Sequence, residues 1–265
     1  MTPSPVSARI AAFSVLLFTV TFVACTTTVP ETGRTQLNFL DPAEEARLGF
    51  SEFKKMKAQK PISQNAQLNA QVQRVGKRLS VVMPVPNAEW EFVVFEDSSP
   101  NAFALPGGKV GVHTGLFEIT QDDEGLAAVI GHEVAHVVAR HSGERMSQNA
   151  VAGAVVAGAG YALNRDGRDG ALPTAAIGAG ALVATRGFSR SQELEADRMG
   201  AIFMARAGYD PRKSVDLWRR FGDWKKRNSS GGGGMQFLST HPLDEKRIEN
   251  LQLYMPQAMA EYNPS

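Results

Sequence analysis

The stretch from Gln121 to His141 constrains the fold more than any other part of the chain. It is apolar on nearly every side, through Leu126, Val129, Ile130 and Val134, yet it carries Gly131-His132-Glu133-Val134-Ala135-His136. A helix that is apolar all round is a buried helix. Thr120 is placed to cap it, with Asp122, Asp123 and Glu124 in its first turn. Histidines at i and i+4 stand one turn apart on one face, so their imidazoles can converge on a single ion. Glu133 is displaced around the helix, suited to reach water at that ion rather than the ion itself. Burying two histidines and a carboxylate without partners costs several kcal/mol, and a metal removes that cost. Two core histidines satisfied by backbone partners are the plainer alternative.

A metal held by two histidines needs a third ligand, and thermolysin-like sites take it as a glutamate from a later helix. Glu193-Leu194-Glu195-Ala196-Asp197 supplies one, and Ser189-Arg190-Ser191-Gln192 has the pattern of a capping box that starts a helix just before it. Glu193 and Asp197 share a face, whereas Glu195 points nearly opposite and fits a solvated surface. Glu193 is therefore the expected ligand. Asp197 is placed to accept a hydrogen bond from the free nitrogen of a ligating histidine, which fixes that ligand's tautomer. His141 falls five residues past His136, rotated away from the metal face, so His113 and His141 are expected to be structural or exposed.

The remaining pattern predicts an α+β, mainly helical fold with a small sheet over the histidine-bearing helix. Helices are expected over Pro42–Met56 and over Ala66–Val82, the second with Leu68, Val72, Val75 and Leu79 on one stripe and Pro84 and Pro86 after it. Trp90–Phe95 and Lys109–Thr114 read as strands, with turns at Ser98–Asn101 and Pro106–Gly108, in a sheet expected to be antiparallel. Val110, Gly111, Val112 and His113 are expected to form an exposed edge to which an extended peptide adds, with a paired internal strand as the alternative. Ala150–Leu163 and Ala171–Thr185 are almost all Ala, Gly and Val. Each is too short to span a bilayer; they read as a helical hairpin near the cleft or as plain core packing. Further helices are expected over Pro211–Lys226 and from Pro242, with a flexible loop at Ser229–Gly234.

Composition narrows the setting. With 265 residues, 43% of them hydrophobic, the chain can build one sizeable core. Lys+Arg 28 against Asp+Glu 27 gives a net charge of +1 with no long single-sign run, which argues against a nucleic-acid partner. The lone cysteine, Cys25, rules out an intramolecular disulfide. It ends an apolar run, Ile10–Ala24, that follows Arg9 and is short of the roughly 20 residues a spanning helix needs. Residues 1–24 thus read as a secretory signal. Phe22-Val23-Ala24-Cys25 resembles a lipoprotein signal, with Phe22 where Leu is usual, and this implies lipidation of Cys25; an uncleaved anchor in which Cys25 is a small buried apolar residue is the alternative. By resemblance to sorted lipoproteins, Thr26 in place of Asp implies the outer membrane. Residues 25–38 then read as the lipidated Cys and a tether.

HEVAH followed by ELEAD resembles the HtpX/CAAX-prenyl-protease family, whose hallmark is HExxH then ExxxD, and more closely its BepA-like periplasmic lipoprotein branch. Asn101–Gly108, Glu195-Ala196-Asp197-Arg198 and Thr240-His241-Pro242-Leu243 carry the likeness, which covers about Leu37 to Leu253. No helical repeat domain follows in this sequence, which puts any docking through such repeats in doubt. The resemblance implies a gluzincin-type metallopeptidase domain over residues 39–258, with 259–265 as a tail. It also implies one Zn²⁺ per chain on His132, His136 and Glu193, with Glu133 as general base and Asp197 as proton donor or orienting group. Expected substrates are misfolded or unassembled proteins of the bacterial envelope. The expected setting is periplasmic and lipid-anchored, with the outer-membrane protein assembly machinery as a partner. In that branch the residue matching His241 resembles a switch that takes the fourth metal position and holds the enzyme latent. An oxyanion-stabilising role, or a surface histidine opening a helix at Pro242, are the alternatives. A non-catalytic assembly or chaperone lipoprotein that keeps the metal for structure is the rival reading. The intact Glu133 argues against it, because a structural site needs no general base and closes with four ligands.

Overall fold

The computed structural model describes residues 26–165, 187–228 and 236–264. Cys25, the signal expected over residues 1–24, the loop expected at Ser229–Gly234 and the second Ala/Gly-rich arm at Ala171–Thr185 lie outside them. Along the chain come β1 (Thr26–Thr28), β2 (Thr35–Leu37), α1 (Pro42–Gln59), α2 (Ala66–Ser80), β3 (Glu91–Phe95), β4 (Ala102–Leu105) and β5 (Lys109–His113). Then follow the short α3 (Phe117–Thr120), α4 (Asp123–Val138), α5 (His141–Arg165), α6 (Arg190–Arg206), α7 (Lys213–Asn228), the short α8 (Gln236–Thr240) and α9 (Glu245–Ala260). The fold is α+β and mainly helical, as the sequence predicts. Among the described residues no helix is long and apolar enough to cross a membrane.

Helix α4 is the axis of the molecule, and every residue from Gly125 to His136 is buried. Its cap is Asp122, whose carboxylate accepts from Gly125 N at 2.7 Å, and not Thr120. Thr120 closes α3 instead, and Gln121 turns the chain between the two helices with φ 65°. The main packing partner of α4 is α6. They approach so closely at Gly131 and Gly200 that a Cβ on Gly200 would lie 2.9 Å from His132 N. Two helices can come this near only where side chains are missing. Helix α2 packs its stripe of Val72, Val75 and Leu79 against α4 and β3, while α7 closes the far side with Leu217, Trp218 and Phe221.

The sheet corrects two expectations. It is mixed, in the order β3-β5-β4, with β3 parallel to β5 (Phe92 opposite Val110) and β4 antiparallel to it (Ala102 opposite Val112). The chain crosses from β3 to the far position, then returns through Pro106-Gly107-Gly108 to slot β5 between the two. Both glycines of that turn have positive φ, 86° and 81°. Strand β5 is therefore central, paired on both sides and buried at all five positions. Val110, Gly111, Val112 and His113 are thus no peptide-accepting edge, because their backbone groups are spent on β3 and β4. The end strand facing α4 is β4.

Residues expected as a tether are also ordered: β1 and β2 form an antiparallel ribbon with Thr27 opposite Gln36. Val29, between them, belongs to the main core, and Arg34 reaches the helices beneath. Of the Ala/Gly-rich pair, the first arm is not a separate element but the continuation of α5 from His141.

Candidate metal centre

Helix α4 presents His132 and His136 one turn apart, with their Nε2 atoms 3.1 Å from each other. Glu193 enters from the first turn of α6, where the expected capping box between Ser189 and Gln192 is formed. Its Oε1 lies 3.3 Å from His136 Nε2 and its Oε2 lies 3.5 Å from His132 Nε2. His241, just past α8, brings Nδ1 to 3.0 Å from Glu193 Oε1 and 3.3 Å from His132 Nε2. The ligand atoms of these four residues all lie within 4.8 Å of one another, and all four are buried. His241 is only 4% exposed, which excludes the surface reading. Its ring stacks on Phe237, 4.6 Å between centroids, and its amide donates to Phe237 O at 2.8 Å.

This donor set, three imidazoles and one carboxylate, all buried, suits a zinc-like cation. Glu133 points at the same place, 4% exposed; among the described residues its Oε1 makes no hydrogen bond, with His241 Nε2 3.4 Å away. An orphaned carboxylate oxygen beside four converging ligands fits a metal centre that also needs a base. The electrostatics agree. Burial pushes the Glu133 carboxyl above the usual carboxylate range, with His241 and His132 opposing. Burial works the same way on Glu193, but the His132, His136 and His241 rings and the Arg247 cation outweigh it and hold that group ionised. His136 is held well below its ordinary value, chiefly by burial, so its ring is neutral and able to ligate. Burial alone would lower His132, yet the Asp197 and Glu193 carboxylates carry it up to about 9. The attraction they exert on a proton at that ring is the attraction they would exert on a cation.

Residues 66–254 match Peptidase family M48. The chain belongs to peptidase family M48. It is 37% identical over 194 residues to the mitochondrial metalloendopeptidase OMA1 of Schizosaccharomyces pombe, covering 73% of this chain and 55% of that protein. It is 38% identical over 186 residues to the OMA1 of Saccharomyces cerevisiae, covering 67% and 50%. To the beta-barrel assembly-enhancing protease of Escherichia coli it is 28% identical over 251 residues, covering 92% and 50%. The chain thus spans about half the length of these curated relatives. Similarity runs to both groups, so membership of M48 does not single out the BepA-like branch.

Two further layers surround the four cluster residues of this M48 chain. Asp197, one turn along α6 from Glu193, lies 3.0 Å from His132 Nδ1, the side of the ring away from the cluster. Burial would raise its carboxyl, but Arg247 and His132 bring it below the usual range, which suits it to accept a hydrogen bond from the His132 ring. Arg247, on α9, binds Asp197 and Glu193 together, a role that helical spacing does not announce. Its trace in the sequence is an arginine one turn before Leu251 on the apolar stripe of the last helix.

The second layer corrects the expectations for Glu195 and His141. Glu195 is not solvated but 7% exposed, and His141 is fully buried. His141 would be rotated away from the metal face only along one continuous helix, but α4 ends at Val138 and Arg140 takes φ 55°. That turn carries His141 back under His136, where the two Nδ1 atoms lie 2.8 Å apart. A cleft of about 180 Å³ opens beside the cluster, lined by Glu133, His136, Phe188, and Ala104 and Leu105 of β4.

Proposed function

We propose that this chain is a zinc-dependent endopeptidase of the bacterial envelope, with His132, His136 and Glu193 as ligands to one Zn²⁺ and Glu133 as general base. The observation that carries the reading is the orphaned Glu133 Oε1 at the edge of the four-residue cluster, opening on a cleft bounded by an end strand. Zinc in such a site lowers the pKa of water and polarises a carbonyl. Glu133, its proton affinity raised by burial, accepts the proton of the attacking water and returns it to the departing amine. Asp197 orients His132 through Nδ1. Strand β4, rather than β5, offers its backbone to an extended peptide lying in the cleft. His241 stands in the fourth position as a lid that keeps the resting enzyme latent.

The substrates we propose are misfolded or unassembled envelope proteins, with the outer-membrane protein assembly machinery as partner. Support comes from the likeness to the Escherichia coli assembly-enhancing protease and from the signal pattern ending at Cys25. Lipid on Cys25 would hold the chain at the periplasmic face of the outer membrane. The test is zinc content together with casein cleavage by the purified protein and by its Glu133→Gln variant. One zinc per chain in both, with cleavage reduced about 100- to 10,000-fold in the variant, is expected. Zinc without cleavage in either form transfers the case to a non-catalytic assembly or chaperone lipoprotein. No bound zinc overturns the proposal.

A further inference from the structure

We propose that Arg34, Glu195 and His141 form a positioning relay that fixes the tautomer of His136, so that the N-terminal ribbon takes part in holding the metal centre. The inference rests on the reading of His136 as a metal ligand and extends it to residues that touch neither metal nor substrate.

The chain of contacts is continuous. His136 Nδ1 lies 2.8 Å from His141 Nδ1, and His141 Nε2 lies 2.9 Å from Glu195 Oε2. The same Oε2 accepts from Arg34 Nε at 2.6 Å, while Oε1 accepts from the Thr32 hydroxyl. Arg34 is itself clamped from the other side, its Nη1 and Nη2 donating to the two oxygens of Glu144 at 2.9 and 3.0 Å. Thr32 and Arg34 both belong to the segment joining β1 to β2, so the ribbon supplies the outer end of the relay.

Its direction follows from what each group can do. An ionised carboxylate only accepts, so His141 donates to Glu195 from Nε2. A neutral imidazole with its proton on Nε2 has a bare Nδ1, which must accept. His136 Nδ1 therefore carries the proton that His141 receives. His136 Nε2 is left with a lone pair aimed into the cluster, 3.1 Å from His132 Nε2 and 3.3 Å from Glu193 Oε1. Run the other way, the relay would place a proton on Nε2, and His136 could not ligate there. His132 has Asp197 at the corresponding nitrogen. On His136 the same task falls to a histidine backed by a carboxylate, because Arg140 turns the chain and sets His141 in that place.

The test uses the full chain and the variants His141→Phe, Glu195→Ala, Glu195→Gln and Arg34→Gln. Zinc affinity is read by competition with a chromophoric chelator, and the His136 ring nitrogens by NMR of the zinc-loaded wild type. His141→Phe and Glu195→Ala should weaken zinc binding about 10- to 100-fold. Glu195→Gln, whose amide oxygen still accepts from His141, should retain most of the affinity. Arg34→Gln should lose several-fold. The wild-type spectrum should show the proton on Nδ1 and the metal on Nε2. Wild-type affinity in both His141→Phe and Glu195→Ala, or ligation through Nδ1, overturns the relay and leaves the zinc site standing. A wild type that binds no zinc overturns both. The NMR assignment on the wild type decides the matter even if a variant fails to fold.

Discussion

Arg247 grips Asp197 with two parallel hydrogen bonds, Nε to Oδ2 at 2.9 Å and Nη2 to Oδ1 at 2.8 Å, in a pocket where both side chains are 1% exposed. Its third nitrogen, Nη1, reaches Glu193 Oε2 at 2.5 Å, and the guanidinium lies over the Trp218 ring, 4.7 Å from its centroid. One cation thus holds both buried carboxylates, Glu193 and Asp197. Replacing it with methionine leaves two buried carboxylates without their partner, a loss of about 3–5 kcal/mol. Arg247→Lys keeps the charge but lacks the planar fork, and should recover only part of that stability. Urea denaturation of the metal-free variants checks the order wild type, Lys, Met. Equal stability of all three would show that Arg247 does not hold the carboxylates.

The near contact between α4 and α6 makes a second prediction. A Cβ at position 200 would meet His132 N at 2.9 Å and Gly131 C at 3.1 Å, both backbone atoms that cannot swing aside. Gly200→Ala should therefore push apart the two helices that carry His132 and Glu193. The expected cost is about 1–3 kcal/mol, with weaker zinc binding alongside it. Gly153→Ala, with nothing among the described residues within 4 Å of the new methyl, is the control and should be neutral or slightly stabilising. Thermal melts with and without zinc separate the two substitutions.

These two sites show why part of the molecule was legible in the sequence. His132, His136 and Glu193 are placed by helical spacing and a capping box, both local patterns, and the structure brings them together. Arg247, Glu195 and His141 answer to contacts across 50 or more residues or to one backbone turn, and spacing says nothing of either. The same holds for β5: its residues read as an exposed edge, but strand order is fixed by the return through Gly107 and Gly108. The ribbon at the N-terminus read as a tether because its value lies in Arg34, whose partners stand 110 and 161 positions away.

His113 gives a prediction about pH. It is fully buried in the central strand, and burial lowers its pKa below 6.5, with Asp97 opposing and Lys60 assisting. The groups facing it are Asp97, whose Oδ2 is 3.3 Å from Nδ1, Lys60, whose Nζ is 3.4 Å from Nε2, and Ser99. A histidine whose folded value is depressed binds protons more readily when unfolded. Its contribution is intact above 6.5 and is lost as pH falls from there through the folded value. The metal-free wild type should therefore lose more stability between pH 7 and 5 than His113→Gln does. Parallel slopes for the two proteins would show that His113 does not titrate on unfolding.

His241 is the member of the cluster that neither α4 nor α6 carries; it follows the short α8 and rests on Phe237. Its contacts allow two roles with opposite consequences. Nδ1 sits 3.0 Å from Glu193 Oε1 and 3.3 Å from His132 Nε2, in reach of the place a metal would occupy. As a lid there, it blocks the position that water and a substrate carbonyl need, and His241→Ala should raise casein cleavage severalfold while weakening zinc binding. Nε2, however, lies 3.4 Å from Glu133 Oε1, close to where charge develops during attack. As an oxyanion donor its loss should lower cleavage about 100-fold or more and leave zinc affinity unchanged. Initial rates at saturating zinc, with affinity measured on the same preparations, give the sign.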